Sequence, residues 1–184
     1  MKYSELAKML KATNCETKNL IVRPFRDSDE DGLLELFRDQ NTMRMDGDIP
    51  ILEKNDEFIR RINLIKEGPL VWFFSEEKRS SDFVGYIMLQ DEDDAIALGF
   101  ALTASKQHKG YGSEMVEAVI NMLFDYGVAE IRINTWEKNL PCQKLADKLG
   151  FIKTDVIKGK HKDPVTGQVS DDYLYSLKNS HVIL

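Results

Sequence analysis

The sequence has little that would tie it to a metal, a membrane or a nucleic acid. Among its 184 residues are only two cysteines, Cys15 and Cys142, and three histidines. Two cysteines in unlike contexts do not make a disulfide scaffold, and no Cys–His spacing matches a zinc site. A reducing cytoplasm is the simplest home, and no metal is expected. No apolar run approaches the roughly 20 residues of a bilayer-spanning helix. Met1–Thr13 mixes lysines with apolar residues but lacks a continuous apolar core and a small-residue cleavage site. It reads as a short amphipathic surface helix, not a targeting segment. A surplus of basic residues is missing too. The formal charge is −6, whereas a general nucleic-acid binder shows a basic face. That balance is compatible with a cationic partner such as an amine.

What is present is globular. Hydrophobic residues make up 42% and charged residues 30%, enough apolar side chains for a core. The length suits one domain better than two. With no repeat, low-complexity tract or linker, we expect one domain over residues 1–184, with 1–14 as a helical extension. Apolar periodicity predicts strands near 19–25, 70–75, 83–89, 95–103, 130–136, 151–157 and 173–177. It predicts helices near 29–38, 52–66, 113–124 and 139–150. Residues 41–50 read as a break, 91–94 as a solvated acidic hairpin tip, and 158–171 as a hairpin loop. The three middle strands are joined by tight turns and must be antiparallel. The next pair is joined by a helix, long enough for a parallel crossover. The expected fold class is a mixed α/β domain.

The stretch Gln107-His-Lys-Gly-Tyr-Gly112 lies between an apolar strand and a long amphipathic helix. Its glycines let backbone approach a ligand, and the first N–H groups of the helix lack an internal acceptor. With the helix dipole they suit a phosphate. The same glycines also suit a plain tight turn.

This element order, with Gln107-x-x-Gly110-x-Gly112 at the crossover helix, resembles the GNAT superfamily of acetyl-CoA-dependent N-acetyltransferases. Asn139-x-x-Cys142-x-x-Leu145-x-Asp147-Lys148-x-Gly150-Phe151 looks like the family's second signature, an Asn-x-x-Ser helix ending in Lys-x-Gly-Phe. Leu20-Ile-Val-Arg-Pro-Phe25 and Leu174-Tyr-Ser-Leu177 look like the Rim-type branch, which acetylates protein N-termini and related amines. The resemblance implies a single twisted, mostly antiparallel sheet with flanking helices, and acetyl-CoA as co-substrate. It implies a pyrophosphate site at Gln107, His108, Lys109, Gly110, Tyr111 and Gly112, although Lys109 also reads as a solvated lysine. It implies that Phe100, Ala101 and Leu102 present backbone to the pantetheine arm. A strand pair splayed at this point would leave those groups free. Asn139 matches a cofactor contact, or is simply a helix cap.

The implied reaction is direct attack of a neutral amine on the thioester, with a backbone N–H near Phe100 stabilising the oxyanion. The leaving-group acid of relatives, a tyrosine or serine on the second-signature helix, is replaced by Cys142. Its thiol can donate a proton or merely fill space, and a helix N-terminus would favour its thiolate. A glutamate that many relatives carry is Ala97 here. That leaves Glu92, Asp93, Asp94, Asp171 or bulk water as base. Asp46 and Asp48 fall where relatives contact the acceptor, or make a turn. Tyr175 lines the acceptor pocket or packs in the core. The acceptor would be a protein N-terminus or a small amine, and the protein a monomer or homodimer. Both departures from the family pattern also fit a weakly catalytic CoA-binding module.

Overall fold

The structure, a computed structural model, describes residues 3–92 and 94–180. Met1, Lys2 and the candidate base Asp93 therefore lie outside the described residues. Eight strands form one sheet: β1 (Cys15–Glu16), β2 (Leu20–Arg23), β3 (Val71–Glu77), β4 (Phe83–Glu92), β5 (Ala95–Leu102), β6 (Glu130–Trp136), β7 (Ile152–Lys162) and β8 (Val169–Lys178). Their spatial order is β1-β2-β3-β4-β5-β6-β8-β7. All pairs are antiparallel except β5–β6, which the crossover helix joins in parallel.

Alternation along the strands splits the core between the two faces. Phe73, Ile87, Leu89, Ile96 and Leu98 point to one face, where they meet helices α1 (Tyr3–Leu10), α5 (Tyr111–Asp125) and α6 (Leu140–Lys148). Phe74, Tyr86 and Ala101 point to the other, under α2 (Glu30–Arg38), α3 (Gln40–Met45) and α4 (Asp56–Glu67). The N-terminal amphipathic helix is real. It buries Leu6 and Leu10, and the Tyr3 hydroxyl donates to Leu89 O at 3.1 Å.

Strand β2 stops before Pro24, as its missing N–H requires. Its last residue, Arg23, is buried with Asp29. The guanidinium donates to both Asp29 oxygens at 2.8 Å and also pairs with Glu76. Desolvation of the guanidinium is overcome by these two carboxylates, and its pKa is raised. The arginine of the opening motif thus ties β2 to β3 and to the start of α2.

Besides the short added strand β1, the structure departs from the sequence expectations in three places. The break at 41–50 contains α3, capped by Asp39, whose Oδ1 accepts from Thr42 N–H at 2.7 Å. Six residues with only Met43 buried give no readable periodicity. The next helix begins at Asp56, not 52, because Asn55 caps it while Leu52 stays exposed. The loop expected at 158–171 shrinks to 163–168. β7 runs to Lys162 as a mostly exposed, lysine-rich edge strand with no apolar alternation to read.

Candidate functional site

The parallel pair β5–β6 holds register only at Ile96↔Ile131 and Ala97↔Arg132. Beyond that point the strands part, and a cleft of about 830 Å³ opens between them. Its walls are Leu98–Leu102 of β5 and Ile133–Trp136 of β6. α3 and the first turns of α5 and α6 complete it. The splay leaves backbone groups on one edge of β5 without a strand partner.

Alternation decides which groups these are. Thr103 N–H donates to Val84 O at 3.0 Å, so Thr103 faces β4. Two residues back, Ala101 does the same, opposite Tyr86. Phe100 and Leu102 therefore turn their N–H and C=O toward the cleft. Of the three residues expected to offer backbone there, Ala101 is the exception, because its groups serve the β4 ladder.

At one end of the cleft the loop before α5 is held rigidly. Lys106 reaches Glu77 at 3.1 Å and Asp82 at 2.8 Å. Gln107 Nε2 donates to Leu102 O and to Thr42 Oγ1, each at 3.1 Å. His108 and Gly110 both take positive φ, +58° and +86°. The first helical closure is Glu114 N–H to Gly110 O at 3.1 Å, so the preceding N–H groups of α5 have no helical acceptor. A Cβ on Gly112 would come within 3.3 Å of Leu145 Cδ1, so glycine is what lets the start of α5 pack this close to α6. Glu114 anchors the helix start by accepting from Asn19 N–H at 2.6 Å, Asn19 Nδ2 at 2.8 Å and the Thr17 hydroxyl. Such N–H groups at a helix start suit an anion. Gln107, His108, Gly110 and Gly112 line the cleft. Lys109 and Tyr111 are not among its lining residues; Lys109 is exposed, and the Tyr111 hydroxyl helps hold the Glu77 carboxyl low.

On α6, Asn139 acts as the N-cap, its Oδ1 accepting from Cys142 N–H at 3.2 Å. Both residues line the cleft. Burial pushes the Cys142 thiol up to about 11; the Thr135 hydrogen bond opposes the shift, and the charge of Asp46 adds to it. Against the expectation that the helix N-terminus would favour a thiolate, desolvation favours the protonated sulfur at neutral pH.

The opposite end is a part that sequence reasoning missed. The bidentate pair Arg44–Asp163 (3.0 and 2.6 Å) ties α3 to the β7–β8 turn. The Trp136 ring stacks on His161 at 4.3 Å. His161 Nδ1 stands 3.6 Å from Asp172 Oδ1, while His161 Nε2 and that same Asp172 oxygen are buried without a hydrogen-bond partner in the protein. Burial raises the Asp172 carboxyl, with His161 opposing. No motif marks these residues in sequence, because α3, β6, β7, β8 and the β7–β8 turn bring them together. Asp46, on the loop after α3, faces the same space and accepts from the Tyr86 hydroxyl at 3.0 Å. Protein crowds this carboxyl on most sides although solvent reaches the residue through the open cleft, and the crowding pushes it up to about 6.

Most of the carboxylates expected as bases lie elsewhere. Glu92 sits beside Arg132 at the far hairpin, and Asp171 pairs with Lys158. Neither these nor Asp94 lines the cleft. Tyr175 is buried in the core beneath α6, and Asp48 is paired with Arg61. No group of metal-ligating side chains occurs among the described residues, and no described helix is long and apolar enough to cross a membrane.

Comparison with known proteins agrees with this geometry. An uncharacterized N-acetyltransferase of Bacillus licheniformis, p20, is 26% identical over 172 residues, covering 88% of this chain and 93% of its own. The spermidine N-acetyltransferase of Vibrio cholerae, solved with CoA and spermine, superposes with a TM-score of 0.74 at 14% identity, over 88% of this chain and 96% of its own. RimL, a ribosomal L7/L12 α-N-protein acetyltransferase solved with coenzyme A, gives 0.74 at 15% identity, over 90% and 98%. The family model for the acetyltransferase (GNAT) domain matches residues 19–152. With most of the chain inside that match, and with the splayed sheet and glycine-loop helix that the motifs implied, this protein belongs to the GNAT acetyltransferases.

Proposed function

We propose that the protein transfers the acetyl group of acetyl-CoA to a primary amine by direct attack. The observation that carries this reading is the splay of β5 from β6 with an anion cradle at its end. Few ligands need both strand amides turned into a cleft and a phosphate site some residues away. A pantetheine arm carries amides to match Phe100 and Leu102. A pyrophosphate matches the N–H groups of residues 108–113. The arm would run from the cradle past Asn139 and end with its sulfur beside Cys142.

In this reading the cleft-facing N–H of Phe100 donates to the oxyanion of the tetrahedral adduct. Cys142 hands its proton to the departing thiolate of CoA. A thiol held near 11 is protonated throughout the physiological range and so is always available as a donor. The acceptor enters from the end lined by Asp46, Trp136, His161 and Asp172. Two carboxylates and an aromatic wall favour an ammonium over an anion. The relatives with solved structures act on a polyamine in one case and a protein N-terminus in the other, so we define the acceptor only as a primary amine.

Ala97, at the position where relatives place a glutamate, favours a second reading, a CoA-binding module without turnover. One experiment separates them. The protein is titrated with CoA, ATP and NAD by calorimetry, then incubated with isotopically labelled acetyl-CoA and a panel of primary amines, followed by mass spectrometry. Selective CoA binding with a labelled amide product is expected. CoA binding with no product from any amine would leave the module, and absence of CoA binding would remove both.

A further inference from the structure

The reaction needs a proton acceptor, and the geometry of the cleft narrows the choice. We propose that the carboxylate of Asp46 is the proton acceptor for the attacking amine. This rests on the acetyl transfer argued above.

Each other carboxylate near the cleft has a structural partner. Asp163 is clamped by Arg44, and Asp48 is paired with Arg61. Asp172 turns Oδ1 away from the cleft, buried 3.6 Å from His161 Nδ1 with no hydrogen bond, so that oxygen is not presented to a ligand. His161 itself has its Nε2 enclosed, out of reach of a ligand in the cleft. Asp46 differs from all of these. Among the described residues it has no ion-pair partner, and it lines the cleft together with Cys142. Its charge is felt at the Cys142 sulfur. One of its oxygens, Oδ2, is held by the Tyr86 hydroxyl at 3.0 Å, and Tyr86 is buried in β4, so the carboxylate is fixed in direction. Its other oxygen is left to a ligand. α3, capped by Asp39 and tied through Arg44, carries it to that position.

The charged and titratable groups around it come from β4, α4, α6, β7 and its own loop. Tyr86 faces it from β4, Arg61 from α4, Cys142 from α6, and Asp48 from its own loop. His161 of β7 stands behind the neighbouring Gly47, where an added Cβ would lie 3.4 Å from Cε1. Neighbouring protein atoms and Asp48 raise the carboxyl of the solvent-reached Asp46 toward about 6, and Tyr86 and Arg61 hold it down. A base in that range is ionised at neutral pH yet binds a proton more firmly than an ordinary aspartate.

The proton ledger closes. The ammonium gives one proton to Asp46, which releases it to solvent. The neutral nitrogen then forms the N–C bond at the thioester carbonyl. As the C–S bond breaks, the adduct's N–H proton passes to the re-ionised Asp46. The sulfur leaves with the proton of Cys142, and Asp46 restores that proton through water in the cleft. An ammonium and an acetyl thioester become an amide, a thiol and one proton in solution.

The test is the pH profile of kcat/KM from pH 5 to 9 with labelled acetyl-CoA and the primary amines of the panel, for wild type, Asp46→Asn, Tyr86→Phe, His161→Gln and, as an off-site control, Asp171→Asn. Wild type should rise through an apparent pKa near 6. Asp46→Asn should lose that limb and fall ~10²–10³-fold at pH 7.5, with CoA affinity unchanged. Tyr86→Phe, which removes the hydrogen bond holding the carboxyl down, should move the limb to higher pH. A purely structural role would not shift it. Retention of the limb in Asp46→Asn, or its displacement in His161→Gln instead, would overturn the assignment while leaving acetyl transfer intact. Wild type that acetylates no amine would remove the transfer and this assignment together.

Discussion

Alkylation of Cys142 by iodoacetamide, followed against pH, tests the balance between burial and helix dipole at the leaving-group position. The reagent reacts with the thiolate. A free cysteine of pKa about 8.5 is about one-quarter ionised at pH 8. A thiol pushed up to about 11 is ionised to roughly one part in a thousand at that pH, a deficit of ~200-fold. The more basic thiolate is intrinsically more nucleophilic, with a Brønsted slope of about 0.4–0.5, which returns roughly tenfold. The net expectation is alkylation ~20-fold slower than a free thiol at pH 8. Steric shielding also slows the reaction, so the discriminating observable is the shape. The rate should climb about tenfold per pH unit without levelling below pH 10. Mass spectrometry after a timed quench distinguishes Cys142 from Cys15, which burial also raises. A plateau at or below pH 8 would show that the helix N-terminus wins and would undo the argument for a protonated donor. The functional counterpart is Cys142→Ala, expected to lower turnover by ~10²-fold with little change in acetyl-CoA affinity. Unchanged turnover would take Cys142 out of the mechanism.

Other outcomes follow from the same structure. Arg23→Ala leaves the buried Asp29 without a cation and Glu76 with only the longer contact to Arg26. It should cost about 3–5 kcal/mol in urea unfolding, and a loss under about 1 kcal/mol would refute the role assigned to that network. Gly112→Val places methyl groups where even a Cβ would be 3.3 Å from Leu145. Calorimetric CoA affinity should fall at least ~10-fold while the fold, carried by the other face of α5, survives. Asp46→Asn should raise the melting temperature of the ligand-free protein at pH 7.5. The folded carboxyl is shifted above its unfolded value, so its contribution is present below about pH 4 and lost as pH rises through about 6. The gain should vanish at pH 4, and an equal gain at both pH values would point to packing instead.

How much of this was legible depends on whether each signal is local. The glycine loop, the Asn139 cap and the amphipathic α5 are carried by neighbours in sequence, and all three are where periodicity and capping rules put them. Short α3 was not legible, because six residues and one buried side chain make no period. The second half of β7 was hidden because an edge strand facing solvent needs no apolar alternation.

By itself the sequence determined the mixed sheet, the parallel crossover and the loop chemistry, since hydrophobic period, glycine and capping residues act over a few residues at a time. Tertiary structure alone decided the rest. The parting of β5 from β6 depends on register between strands 35 residues apart. The high pKa of the Cys142 thiol comes from atoms packed around it, against what its helix position suggests. Asp46 became a candidate base only when α3 carried it across from Cys142 and Tyr86 took hold of one oxygen. Burial and the meeting of distant segments are properties of the folded chain, and the chemistry at the acceptor end is made of them.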